Sequence, residues 1–376
     1  MADEPEFSLG VEEEYLLVDP ETGDVREAPD ALMAACKAEL ADQVGPEFLR
    51  CQIEIGTPVA ANVRAARDDL ARLRGSIARH AAEFGLAPIS VACHPVADWR
   101  SQDHTDKDRY NQISQEMGGV SRRMLICGMH VHVGIPDQDM RIDLMNQFSW
   151  FLPHLLALSA SSPFWLGEET LLASYRTTVF AGYPRTGLPP RLGSWAEYER
   201  SVAALTETGI IGDASKIWWD LRPSARFPTL ETRICDACPR LGDTITLVAL
   251  VQATLRMLWR LSRQNLRWRQ YDNFLLGENR WRATRYGLTE GLIDFGTRRI
   301  IPFDEIAEAW LAAIAEDADA LDSQPAVAGL RDMIARGSAA EQQRALYAAA
   351  IAAGATPQEA FRGIVAWLVE EFRRGL

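Results

Sequence analysis

The sequence predicts an α+β protein in one domain over residues 1–376, strand-rich from about residue 7 to 240 and mostly helical from 243 onward. Three observations lead there. Segments alternating apolar with polar residues recur through the first part. From Asp243 to the end the chain is Ala-, Leu- and Arg-rich. No repeat, low-complexity tract or linker separates the two parts, and 47% apolar residues suffice for a substantial core.

Phe7 to Val18 reads as a strand closed by the turn signal Asp19-Pro20-Glu21-Thr22-Gly23. Glu12 and Glu14 share one face. Glu13 shares the other with Val11 and Tyr15, so it is expected at a sheet edge or in an ion pair, without a role in chemistry, and Glu13→Gln should be nearly silent. A helix near Ala28 to Leu40 follows. Then Ile53 and Ile55 alternate with Glu54 in a second strand. Asn62 caps a helix whose apolar positions Val63, Ala66, Leu70, Leu73 and Ile77 recur at helical spacing, and Gly85 stops it. Its Arg- and Asp-rich outer face needs no special function.

Ala87 to Cys93 predicts a strand leading into a polar loop, His94 to Tyr110, where His94, His104 and Arg109 are candidates to line a site. In Cys127 to Ile135 strict alternation puts His130 and His132 on one face, with Met129, Val131 and Val133 behind. An isolated H-x-H is also what a strand wetting its polar face would carry. Ile142 to Ser159 is an apolar helical run. Residues 144–166 lack charge, but Asn146, Gln147, Pro153 and His154 interrupt them, which predicts a buried helix rather than a membrane span. Gly167 to Gly193, with Tyr175-Arg176 as a landmark, reads as an irregular functional segment. Ser194-Trp195-Ala196-Glu197 is a capping box opening a helix to about Thr208. Beyond Trp218 to Pro223, Glu231 and Arg233 share a strand face opposite Leu230, Thr232 and Ile234. The helical remainder is interrupted by an expected loop from Leu276 to Gly287.

A net charge of −13 argues against nonspecific nucleic-acid binding and against an anionic membrane surface. The three lysines, Lys37, Lys107 and Lys216, leave arginine as the available anion clamp. Met1 to Glu6 is acidic, without the basic-then-apolar order of a signal peptide, so a cytoplasmic location is expected. The six scattered cysteines read as buried thiols, and Cys235-Asp236-Ala237-Cys238 has no second pair to complete a zinc site. A homo-oligomer is left open.

Four strands thus present Glu12 and Glu14, Glu54, His130 and His132, and Glu231 with Arg233. A wetted sheet face would mix in Lys, Thr, Ser and Gln. Carboxylate with imidazole is the ligand set of divalent cations, and if the faces coincide they could hold two or three Mg2+ or Mn2+ ions, with arginines meeting anionic groups between them. Phosphoryl-transfer sites are built this way. No G-x-x-x-x-G-K-[ST] is present, so a nucleotide is held by another architecture. A cupin-type oxygenase would need a Glu soon after H-x-H, but the next one is Glu168.

Gly10-Val-Glu-Glu-Glu-Tyr15, Gln52-Ile-Glu-Ile-Gly-Thr-Pro58, Gly128-Met-His-Val-His-Val-Gly134, Trp219-Asp-Leu-Arg-Pro223 and Leu230-Glu-Thr-Arg233 resemble, in this order, the type 2 glutamate-cysteine ligases, the YbdK-type carboxylate-amine ligases of bacteria. The resemblance implies a glutamine synthetase-like catalytic domain, a curved antiparallel sheet with helices on its convex side. It implies ATP-dependent joining of a glutamate-like carboxylate to an amine such as cysteine, with weak glutamate-cysteine ligase activity, ATP and Mg2+ or Mn2+ being required. On this resemblance Glu12, Glu14, Glu54, His130 and Glu231 hold metal, His132 and Arg233 lie near the nucleotide, Arg222 and Arg233 contact phosphate, and Tyr175 and Arg176 contact substrate. No motif identifies the pocket for the amine, and Asn279 to Arg285 resembles a family segment of unassigned role. Competing readings are a guanidino kinase, which would form a phosphorylated guanidine, and a silent metal- or nucleotide-binding regulator of the same fold.

Overall fold

The computed structural model describes residues 4–376; the first three residues of the acidic stretch Met1 to Glu6 lie outside them. The protein is organised about strand β1 (Leu9–Val18). Its odd positions Val11, Tyr15 and Leu17 are apolar and fully buried, because helices cover that face of the sheet. The other face is split. Leu16 and Val18, near the strand's end, sink into a second apolar cluster with Ile364 and Val365, while Glu12 and Glu14, nearer its start, keep partial access to solvent.

Around β1 stand β2 (Val44–Pro46), β3 (Gln52–Gly56), β4 (Ala87–Ile89), β5 (Met129–Gly134), β6 (Leu221–Pro223) and β7 (Thr229–Thr232). The seven-stranded sheet runs β6-β7-β5-β1-β3-β2, with β4 pairing the end of β1, and every pairing is antiparallel. The strand expected over 87–93 is shorter, because from Ser90 the chain leaves the ladder and Ala92 is bonded by Ser161 instead.

Helix α1 (Asp30–Leu40) packs on α2 (Val63–Glu83), which lies against β1. Asn62 caps α2 by accepting from the Ala65 amide, and Gly85, at φ 70°, ends its last turn. Next come α3 (Asp108–Met117), α4 (Gln138–Phe148), α5 (Leu152–Ser159), α6 (Tyr175–Phe180) and α7 (Trp195–Glu207). Ser194 accepts from the Glu197 amide, but the Glu197 carboxylate takes the Gly193 amide rather than closing the expected box on Ser194. The C-terminal part is α8 (Leu241–Arg263), α9 (Asn273–Tyr286), α10 (Phe303–Ala320), α11 (Gln324–Arg336), α12 (Ala339–Ala352) and α13 (Pro357–Arg373). α8 packs on β5 and α2, and 83% of its most apolar window is buried; among the described residues it is the one helix long and apolar enough to cross a membrane.

Of the two places expected for Glu13 the structure shows the second: it sits in the middle of the sheet, not at an edge, fully buried in an ion pair with Arg74 of α2. Arg74 is therefore part of the core although its neighbours Arg72 and Arg79 face solvent. One expectation is corrected. The stretch 276–287 is helical, not a loop, because Asp272 caps α9 through the Phe274 and Leu275 amides and Gly287, at φ 57°, closes it.

Candidate active site

The antiparallel register brings the polar faces together in three rows across the strands. Arg222, Glu231, His132 and Gly10 lie side by side in the first row. His130, Glu12 and Gly56 make the second, and Glu14 faces Glu54 in the third. Each row is one two-residue step along the strands from the next, so all these side chains project to one side. They open into a cavity of about 280 Å³ whose walls include Glu47, Arg109, Tyr110, Arg176, Trp218 and Phe227.

Glu12 divides its oxygens between the two histidines, and Glu231 divides its own between His132 and Arg233. Glu12 Oε2 is 2.9 Å from His130 Nδ1, and its Oε1 is 3.5 Å from His132 Nε2. Glu231 Oε2 is 4.0 Å from His132 Nε2, while its Oε1 accepts from Arg233 Nη1, which also lies 3.4 Å from His130 Nδ1. A cationic nitrogen thus stands between the His130 ring and Glu231. On the His132 side, Nε2 is buried with no hydrogen-bond partner, its Nδ1 being engaged by Thr229 Oγ1 at 2.9 Å. One donor atom each from Glu12, His132 and Glu231 lies within 4.8 Å of the others, so the imidazole in this cluster is His132, where the resemblance implies His130. Burial opposes ionisation of Glu12 and Glu231. Hydrogen bonds with His130 and His132 outweigh it for Glu12, the guanidinium groups of Arg233 and Arg222 do so for Glu231, and both carboxyls are held far below their ordinary range. Burial and the Arg233 charge push His130 down to about 4, leaving a neutral ring with a lone pair at neutral pH.

A second acidic group, Glu14, Glu54 and Glu47, has no such relief. Burial and the neighbouring Glu47 charge raise Glu14 to about 7, although its Oε2 accepts the Gly128 amide at 2.7 Å. Burial and the charges of Glu47, Glu12 and Glu14 drive Glu54 well above its ordinary value, and burial raises Glu47. Such crowding is relieved by a divalent ion, because oxygen ligands then face a cation in place of each other.

Arg222 also lines the cavity, but the protein uses its donors: two go to the Glu231 carboxylate at 2.9 and 3.1 Å, and others to the carbonyls of Ser215 and Ile217. Arg233 keeps a buried Nε without a partner. Arg176 reaches the cavity across Gly128, where a Cβ would stand 2.3 Å from its Nη2; its Nη groups donate to the carbonyls of Ile234 and Arg233. Tyr175 is not among the lining residues. Its ring packs at 5.3 Å on Trp165, because the first turn of α6 points successive side chains in different directions. Of the loop candidates, Arg109 lines the cavity. His94 does not: it is buried, with Nε2 against the Gly23 carbonyl and Nδ1 accepting from Val96 and Ala97. His104 is exposed and pairs with Asn111. Glu47 is the lining carboxylate that the sequence reading missed. The segment 276–287 braces the site: Arg280 pairs with the buried Asp220 at 2.6 Å, two residues before Arg222, and the Thr284 carbonyl accepts the Ala173 and Ser174 amides ahead of Arg176. All six cysteines are free and buried; the Cys238 thiol lies 4.0 Å from the Met129 sulfur.

The family model of glutamate-cysteine ligase family 2 matches residues 8–371. A protein of Paracoccus denitrificans with the provisional name glutamate–cysteine ligase 2 is 90% identical over 376 residues, all of both chains. One of the same name from Ruegeria pomeroyi is 56% identical, covering 99% of this chain and 96% of its own. The fold is shared with a glutamate–cysteine ligase of Francisella tularensis solved with AMP, with TM-score 0.66 and 14% identity, over 98% of this chain and 89% of that one. It is also shared with a bifunctional glutathione synthetase of Pasteurella multocida, with TM-score 0.69 and 15% identity; 97% of this chain matches 52% of that protein.

Proposed function

The chain belongs to glutamate-cysteine ligase family 2, a family of ligases, and from that premise we propose that it joins a glutamate-like carboxylate to an amine such as cysteine at the expense of ATP. The observation that carries this reading is the face where Glu12 lies between two imidazoles and Glu231 between His132 and two guanidinium groups, beside three crowded carboxylates. Its donors suit Mg2+ or Mn2+. A guanidinium nitrogen stands among the Glu231 and His130 donors, His132 Nε2 lacks a partner, and burial, with mutual repulsion at Glu14 and Glu54, raises Glu14, Glu47 and Glu54 above the ordinary carboxylate range. Glu12, Glu14, Glu54, His130 and Glu231, with Glu47 added by the geometry, would hold the ions. When bound, these would neutralise phosphate oxygens and bring them up to the sheet.

In the proposed reaction a substrate carboxylate oxygen attacks the γ-phosphorus of ATP and ADP leaves. The resulting acyl phosphate gives the carbonyl carbon a leaving group that a free carboxylate lacks. The amine then attacks that carbon, phosphate departs, and the ammonium proton passes to a cavity carboxylate. Arg233, with donor capacity to spare, meets the transferring phosphoryl group, and His132 lies toward the same phosphates. Arg222 is spent on Glu231, so its part is to hold that carboxylate in place. Arg176 offers its guanidinium to a substrate carboxylate.

The test is ATP turnover with Mg2+ across pairs of amino acids and amines, products being identified by mass. An amide with equimolar ADP and phosphate is expected, and Glu12→Gln or Glu231→Gln should abolish it in a folded protein. A phosphorylated guanidine, or ADP release indifferent to both carboxylate and amine, would refute the proposal.

A further inference from the structure

A second cleft, of about 140 Å³, shares no lining residue with the first. It lies among α5, the segment after α8, the strand Leu292–Asp294 and α10, and its walls are flat rings. Phe151 stacks on Trp268 at 5.5 Å and on Trp310 at 5.3 Å. His154 sits among Trp150, Phe151 and Trp310, with ring centroids 5.7 to 5.8 Å away.

His154 is 5% exposed, and the Trp150 backbone hydrogen-bonds its ring. The indole Nε1 of Trp268 is buried without a partner. Buried polar groups are almost always satisfied, so this N–H is free for an occupant of the cleft that accepts from it. Burial pushes His154 down to about 4, so near neutral pH its ring is uncharged.

The mouth is charged in a definite pattern. Arg269 lies over the rings of Trp150 and Trp268, at 5.9 and 6.0 Å, and pairs with Asp294 at 2.5 Å; the exposed Glu305 is on the same rim. A guanidinium next to two carboxylates, above a slot of rings, complements a zwitterion with a flat side chain. The ring would enter the slot, the carboxylate would meet Arg269, and the ammonium would meet Asp294 and Glu305. We propose that this cleft is a second small-molecule site, which takes a free α-amino acid with an aromatic side chain.

The site is connected to the first through α9. Ile293, in its wall, exchanges hydrogen bonds with the Asn279 side chain at 2.8 and 2.9 Å, and the next residue, Arg280, holds Asp220.

Trp150, Trp268 and Trp310 make the cleft report on itself. L-phenylalanine titrated into the full chain, followed by tryptophan emission and by calorimetry, should give saturable binding with Kd of about 1 mM or tighter, the strength expected of a ligand of about twelve heavy atoms. Arg269→Gln, at a half-exposed side chain, and Ala309→Phe, at the exposed rim, should each weaken it at least about tenfold. Glu12→Gln should leave it unchanged, which separates this site from the first whatever the catalytic reading's fate. No saturation by about 20 mM, binding intact in both rim variants, or binding lost in Glu12→Gln would each overturn the proposal.

Discussion

Replacing Glu13 by Gln tests how the sheet is fastened to its helices. The Glu13 carboxylate accepts from Arg74 Nη2 at 2.5 Å and Nε at 2.8 Å, from Thr244 Oγ1 at 2.7 Å and from the Tyr15 hydroxyl at 2.5 Å, and neither Glu13 nor Arg74 is exposed. The amide keeps the shape but leaves a buried guanidinium facing no charge, and its NH2 meets donors where an oxygen accepted them. Breaking a buried pair by removing one partner costs about 3–5 kcal/mol. At about 2.1 cal/mol/K per residue the unfolding entropy of 376 residues is about 0.8 kcal/mol/K, so Tm should fall by about 4–6 °C. The variant should remain folded and active at 20 °C, since Glu13 faces away from the cavity. Scanning calorimetry of the two proteins in one buffer decides it. A Tm shift below about 1 °C would show that the pair is not what secures this face.

His130→Ala should lose turnover steeply and regain part of it with excess Mg2+ or Mn2+, whereas His132→Asn should mainly raise the ATP concentration required. Separate titrations of metal and nucleotide check this, and metal rescue confined to His132→Asn would transfer the ligand role to the imidazole of the observed Glu12–His132–Glu231 cluster. The raised carboxyls of Glu14, Glu47 and Glu54 take up protons on folding, while His94, His130 and His154, each pushed down to about 4, give theirs up, so the two groups oppose each other in the metal-free pH dependence. Mg2+ would bind the deprotonated carboxylates, so its stabilising effect should grow as pH rises from about 4.5 to 7, as read from chemical unfolding at several pH values with and without the ion; an effect indifferent to pH would argue against metal at these residues. Gly128→Ala, whose Cβ would meet Arg176, should lower both Tm and turnover, and an unchanged KM for the carboxylate substrate would remove Arg176 from its proposed role.

The alternation of β1, β3, β5 and β7 was legible because a period of two is a local property, and it put Glu12, Glu14, Glu54, His130, His132, Glu231 and Arg233 on the faces that line the cavity. That the faces coincide was not legible, since it depends on pairing between residues far apart in the chain, such as Glu12 with His130. Glu47 carried no signal, as Pro46-Glu47-Phe48 belongs to no alternating run. Arg74 read as one more arginine of a charged helix, because its partner belongs to another element. The helix α9 was hidden by its own inner face, where Asn279 and Thr284 are buried beside Leu276 and Ala283 and so blur the apolar stripe. It was this helix that connected the segments before Arg176 and Arg222.

The consecutive glutamates of β1 also work as a check on assembly. Sliding the strand by one residue would turn Glu12 and Glu14 toward the helices and Glu13 toward the cavity. Two carboxylates would then be sealed among apolar groups with the single Arg74 guanidinium to meet them both. A misregistered sheet is thus penalised from both sides at once, by surplus charge within and by the loss of the carboxylate that His130 and His132 meet on the cavity side. A divalent ion that needs Glu12 and Glu14 on the cavity side would bind only correctly paired chains, drawing the folding population toward them, so the ion's part would begin before any substrate arrives.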